Sequence, residues 1–175
     1  MILNVGGKDE REKVSESSVL LAQRMNPLDA NPAGNVHGGG IMKLIGTIAG
    51  VVATKHARAN TVTASIDRLD FHYPVYVGNL LTLKANLNMI GRTSMEIGVR
   101  VESEDLITGK IKHTASAYLT FVALDKKGKP VLLPPLILET REQKRRNREA
   151  MARKKIRLLE KRKEKECQNN PENRT

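Results

Sequence analysis

Between positions 31 and 53 the chain reads NPAGNVHGGGIMKLIGTIAGVVA, and residue types with a capacity for chemistry are concentrated here. Pro32, Gly34 and Asn35 are turn formers. His37 follows, and Gly38, Gly39 and Gly40 lead into an apolar run of Ile41, Met42, Leu44, Ile45, Ile48, Val51 and Val52. This pattern predicts a glycine-rich turn feeding a helix. The first backbone N–H groups of a helix have no intrahelical acceptor. With the helix dipole behind them they form an anion site, suited to a phosphate or to an oxyanion. His37 beside the glycines is a candidate base, with a structural turn histidine as the alternative. No His, Asp or Glu set has metal-ligand spacing, so no metal site is expected.

The elements that must position this stretch are legible from hydrophobic period. Apolar residues fall on nearly every side of the predicted helix, which is therefore expected to be buried all round. The run is too short and too interrupted to span a bilayer, which takes about 20 apolar residues. It ends near His56 and Arg58, basic residues suited to a helix C-terminus. The period then changes from 3.6 to 2. Residues 61–71, 81–89, 95–101 and 112–124 alternate apolar with polar side chains, and 18–25 reads as a short first strand. In the first of these the apolar set is Val62, Ala64 and Ile66. Such strands, joined by short turns, predict an antiparallel sheet covered on one side. The helix is the apolar partner of suitable size, so the sheet is expected to wrap it, giving an α+β domain. One copy leaves sheet edges and part of the helix open, and self-association is expected.

Composition narrows the function classes. At 175 residues one main domain is expected. Two Phe, three Tyr and no Trp leave few platforms for base stacking, which counts against a single-strand nucleic-acid binder. One cysteine excludes an internal disulfide framework and fits a reducing compartment. The N-terminus has no long apolar segment of signal-peptide type, so a cytoplasmic location is expected. The net charge of +11 is concentrated in residues 141–166, which hold 13 Lys/Arg against 5 Asp/Glu. That segment follows Pro130, Pro134 and Pro135 and reads as a charged helix, solvated or lying on a neighbouring subunit. Three regions follow: a flexible N-terminus over 1–15, the main domain over 16–138, and a basic helix and tail over 139–175.

The segment NPAGNVHGGGIMKLI, with the preceding Asp29-Ala30, resembles the signature of the hotdog-fold acyl-CoA thioesterases of the brain-type and bacterial acyl-CoA hydrolase branch. The resemblance continues through DFHYPVYVGN, GRTSMEIGVRVESEDLITG and HTASAYLTFVAL to Leu133-Pro134-Pro135. It implies a hotdog fold, a long antiparallel sheet around a central helix, and an acyl-CoA substrate with no separate cofactor. It also implies a homo-oligomer, a dimer at least and a hexamer by analogy; from the composition and the short apolar run no membrane partner is expected and a nucleic-acid partner is disfavoured. In such enzymes the thioester lies across a dimer interface. The resemblance puts the turn asparagine of one subunit at Asn31, with the amides around Gly38 and Gly39 polarising the thioester carbonyl. Arg92, Thr93 and Ser94 match a segment that contacts coenzyme A; a plain hairpin turn is the alternative. For Asn31 the alternative is a residue capping its own loop.

One position departs from that pattern. The family's acidic residue belongs 15 positions after the asparagine, where this chain has Gly46, and Thr47 stands where a second carboxylate is common. Thioester hydrolysis needs a carboxylate to attack or to activate water, and glycine does neither. An impaired or inactivated thioesterase, natural or engineered, is one expectation; a non-catalytic acyl-CoA binding or sensing protein is another. Gly46 as a helix-packing glycine is the structural alternative. A nucleic-acid module using the basic tail ranks below these. Thr63 and Ser65 are lesser candidates for a hydroxyl near the thioester, and Asp67 and Asp70 flank Arg68 as a local ion-pair set.

Overall fold

A computed structural model describes residues 12–169. The frayed segment expected over 1–15 lies mostly outside this range. Its last residues are ordered: β1 (Glu12–Lys13) pairs in parallel with β7 (Leu136–Ile137), and α1 (Val14–Ser17) follows. The main sheet has the order β2-β4-β5-β6-β3, from β2 (Val19–Arg24), β3 (Asn60–Phe71), β4 (Leu80–Ile90), β5 (Ser94–Glu104) and β6 (Ile111–Leu124). Every pairing in it is antiparallel. The central helix α2 (Gly38–Ala57) lies on its apolar face.

The alternation read from β4, β5 and β6 holds. Leu81, Leu83, Leu87, Ile97, Val99, Leu119 and Phe121 are buried against Ile41, Ile45, Ile48 and Val52 of α2. Two expectations change. Only one stripe of α2, from Ile41 to His56 at helical spacing, is buried; Met42 and Val51 on the other face are 43% and 47% exposed. One sheet covers one side of a helix, and among the described residues nothing covers the other side. In β3 the predicted inward set is split: Val62, opposite Val122, lies on the outer face, while Ile66, opposite the buried Leu119, stays on the α2 side but is exposed at the edge of the sheet. The pairing of β3 with β6 slips between Thr63 and Ser65 and again between Ile66 and Arg68. Each bulge puts an extra residue on β3 and breaks the period of two.

The C-terminal helix α3 (Arg141–Asn169) does not float as a solvated rod. Its first half packs on the polar outer face of its own sheet, mainly against β4. Ala150 is fully buried, and Asn147 Nδ2 donates to the Asn88 carbonyl at 2.9 Å. Arg153 donates to Glu96, a fully buried carboxylate, at 2.7 Å and lies 3.7 Å from the centroid of the Tyr118 ring. Arg157 pairs with Asp67, the residue at the second bulge of β3. Burial opposes the charge on Arg153, but the hydrogen bond and charge of Glu96 outweigh it and raise the guanidinium above its usual range.

The pair at Glu96 is a sensitive point. Arg153→Met should leave an uncompensated buried carboxylate and cost roughly 3 kcal/mol, read from urea unfolding at neutral pH. Adding Glu96→Gln should recover more than half of that loss. Equal destabilisation by the single and double variants would show that Arg153 acts by packing alone.

Candidate active site

The turn before α2 is built by side-chain and backbone bonds within 26–37. Asn26 caps a short 3-10 turn (Pro27–Asp29), accepting from Leu28 N at 2.9 Å, and Asp29 accepts from Asn26 N at 2.9 Å. The Asp29 carbonyl accepts from His37 N at 2.8 Å, and Asn31 N donates to the Asn35 carbonyl at 2.7 Å. Gly34 sits at φ +82°, a left-handed conformation that glycine adopts without strain. Asn31 is tied to this loop: its Oδ1 accepts from Ala33 N at 2.9 Å, and its Nδ2 donates to Asn35 Oδ1 at 2.5 Å. The capping alternative for Asn31 is therefore realised. One Nδ2 hydrogen remains for a ligand.

The two glycines at the helix start differ. His37 is the N-cap of α2, and its Nδ1 accepts from Gly39 N at 2.9 Å. His37 is thereby placed as a cap, and the Gly39 amide is already engaged. Gly38 N makes no hydrogen bond among the described residues and is the amide left for an oxyanion. Gly38 and Asn31 line one cleft of about 290 Å³, walled by Val36, Ile41, Phe71 and Tyr73. An unpaired amide, a helix N-terminus and a half-satisfied carboxamide thus meet in a mostly apolar recess.

Gly46 is not in this cleft. It lies on the uncovered face of α2, and a Cβ built there meets nothing within 4 Å. It is not needed for packing within the chain, and a larger side chain would project into open space. Thr47 is exposed and its hydroxyl donates to the Lys43 carbonyl at 2.9 Å. Eight residues of helix separate Gly46 from Gly38, about 12 Å along the axis. A side chain at 46 therefore cannot reach a carbonyl held at Gly38 of the same chain.

Arg92 and Thr93 lie in the turn between β4 and β5 and Ser94 opens β5, apart from the cleft of Asn31 and Gly38. The turn's backbone is tied down: Gly91 N donates to Ser94 O at 2.7 Å, Leu133 N to Arg92 O at 3.2 Å, and Ala123 N to Thr93 O at 3.3 Å. Thr63 lies exposed on β3. Ser65 donates to Asp67 Oδ1 at 2.9 Å, and Arg68 pairs with Asp70 as its neighbours suggested. The role of Asp67 in holding α3 had no local signal, because its partner lies 90 residues away.

Residues 33–110 match the thioesterase superfamily. Protein VdlD of Helicobacter pylori is 38% identical over 146 residues, 83% of either chain. YkhA of Bacillus subtilis, named an uncharacterized acyl-CoA thioester hydrolase, is 41% identical over 128 residues, 73% of this chain and 74% of that one. The chain belongs to the thioesterase superfamily. Solved members agree. An apo-hexameric acyl-CoA thioesterase superposes with a TM-score of 0.84 at 39% identity, over 86% of this chain and 97% of that one. The acyl-CoA hydrolase of Staphylococcus aureus, crystallised with butyryl coenzyme A and coenzyme A, gives 0.84 at 34% identity over 90% and 96%. That enzyme was also characterised with alanine in place of an Asn, of an Asp fifteen positions later, and of a Thr seventeen after that.

The helix that carries the site offers two stability measurements. Gly46→Ala should stabilise the fold by up to about 1 kcal/mol, since it removes a helix-interior glycine and meets no atom. His37→Ala should cost about 1 kcal/mol through loss of the cap, and His37→Asn should restore most of it. Denaturant midpoints of the three variants check both statements.

Proposed function

We propose that this thioesterase-superfamily chain is an acyl-CoA thioesterase: acyl-CoA and water give a free carboxylic acid and coenzyme A. The observation that carries this reading is the free Gly38 amide at the start of α2, sharing a cleft with Asn31. Water attacks the thioester carbonyl carbon, and the developing oxyanion is held by the Gly38 N–H and the positive end of α2. Collapse breaks the C–S bond, and the departing thiolate takes a proton. No separate cofactor enters this scheme. The exposed sides of Phe71 and Tyr73 extend the cleft for the acyl chain.

The site is completed by a second copy. A residue at 46 lies too far along α2 to serve its own Gly38, yet an oppositely directed α2 would bring it to the partner's cleft. The open face of α2 and the unpaired edge of β3, with Met42, Val51, Val62 and Ile66 exposed, provide the surface for such a dimer. The hexameric neighbours favour further assembly of dimers. Ile66→Lys should yield a smaller species in light scattering if this edge is the contact.

The Asn, Asp and Thr altered in the Staphylococcus aureus enzyme share their spacing with Asn31, Gly46 and Thr63. This supports Asn31 and Thr63 as orienting groups and Gly46 as the place of a missing general base. The present chain should therefore bind acyl-CoA and hydrolyse it slowly. Losing a general base costs about 10²–10⁴-fold in rate. Gly46→Asp should raise kcat by at least 100-fold, measured as thiol release from short to long acyl-CoA substrates. Fast turnover by the unaltered chain would assign the base elsewhere. No turnover from a well-folded Gly46→Asp protein would instead favour the binding or sensing reading, which the absent carboxylate also supports. A cytoplasmic location fits a chain whose described residues include no helix long and apolar enough to cross a membrane.

A further inference from the structure

α3 packs on the sheet by one side, and its other side carries a row of cations. Gln143, Asn147, Ala150, Arg153 and Arg157 recur at helical spacing toward the sheet and are buried or half-buried. Arg141, Arg148, Lys155 and Arg162 recur every seven residues on the side turned away from it. A seven-residue step returns to the same bearing within about 20°. All four are exposed, as is Lys144 beside them. Successive members stand about 10.5 Å apart along the axis, and the row runs for about 32 Å. None of these five makes an ion pair among the described residues; the pairs of α3 use Arg145, Arg146, Arg153 and Arg157.

The acids are kept off this row. Glu142, Glu149, Glu160 and Glu164 lie along one flank, and Glu166 returns to the row's bearing only past Arg162. The docking contacts hold that separation. Arg153 with Glu96, Arg157 with Asp67 and Asn147 with the Asn88 carbonyl stop α3 from rolling on the sheet. From Leu158 to Gln168 every side chain is exposed, so the helix end stands clear of the sheet.

A straight, rigid row of cations without counter-charges is matched by a straight polyanion. A nucleic-acid duplex carries one phosphate charge per about 1.7 Å of axis, and neutralising some of these releases bound counterions. Other occupants fit less well. Met151, Ile156, Leu158 and Leu159 are about half exposed, but they are spread among the cations, so no apolar side clear of charge can enter a lipid surface. A second copy of α3 would set like charge against like. The helix has no aromatic residue to stack on unpaired bases, and a duplex needs none.

We propose that the outward face of α3 docks on the phosphate backbone of a nucleic-acid duplex, without regard to base sequence. The row lies on the side of the sheet opposite α2, so this contact is separate from the thioester cleft and does not rest on the acyl-CoA reading.

The test is fluorescence anisotropy of the full chain with labelled DNA duplexes of two unrelated sequences. Affinity should be equal for the two. Its logarithm should fall against log salt with a slope of about −4, near −0.9 for each of five phosphates. Arg148→Gln, Lys155→Gln and Arg162→Gln together remove exposed charge and no contact within the chain, so the fold should be kept. They should weaken binding about tenfold or more and flatten the slope by about 3. Lys126→Gln, Lys127→Gln and Lys129→Gln together remove the same charge from a turn elsewhere and should leave affinity nearly unchanged. An RNA duplex of matching sequence distinguishes the two helical forms, either of which upholds the proposal. Equal losses from the two triple variants would reduce the effect to net charge and overturn the docking face. An α3 triple variant that binds like the parent would overturn it too, as would a parent that binds no duplex at low salt or prefers the single strand. A parent that sediments with phosphatidylserine vesicles and ignores duplexes would assign the face to lipid instead.

Discussion

A single sheet can cover only one side of a helix, and the rest of this structure depends on that constraint. The apolar face of five antiparallel strands buries Ile41, Ile45, Ile48 and Val52, and among the described residues the opposite side of α2 stays open. At about 25 cal/mol per Å² of apolar area, burying several branched side chains this way supplies most of the drive to hold α2 in place. The helix start is thereby fixed against the sheet, so the Gly38 amide and the Asn31 loop are oriented before any ligand binds. The same one-sidedness leaves position 46 on a bare surface. The geometry that preorganises the Gly38 amide also sets position 46 about 12 Å from it along the helix axis.

The outer face of the sheet follows a different physics. It is polar, and the helix that covers it is strongly basic, so the contact depends on ion pairs and one buried alanine more than on apolar area. Arg153 with Glu96 and Arg157 with Asp67 give α3 a definite rotation. Breaking one partner of such a buried pair is costly, whereas the pair itself adds modest net stability. Its service is orientation.

Much of this was readable in the chain. The turn residues, the apolar run of α2 and the alternation in β4, β5 and β6 all report local preferences, and local preferences decided those elements. The order of motifs from Asn31 to Leu133 was enough to indicate the superfamily. Two features were hidden for physical reasons. The bulges of β3 arise from its pairing with β6, so Val62 and Ile66 read as one buried face while they lie on opposite faces of the sheet, both exposed. The docking of α3 rests on contacts between residues 57 and 90 positions apart, which no local window contains. The split between Gly38 and Gly39 was likewise invisible, because it depends on how the His37 ring turns.

The bulges in β3 have an effect on the form that assembly can take. An uninterrupted edge of twelve residues would present a long, flat ladder of unpaired donors and acceptors, open to any extended chain. Interruptions near Ala64 and Asp67 divide that ladder into short pieces and add twist, so the edge offers a curved contour in place of a straight template. Such a contour is a poor template for an extended chain, so the strand that leaves the sheet open at this side also guards it against running on into fibres.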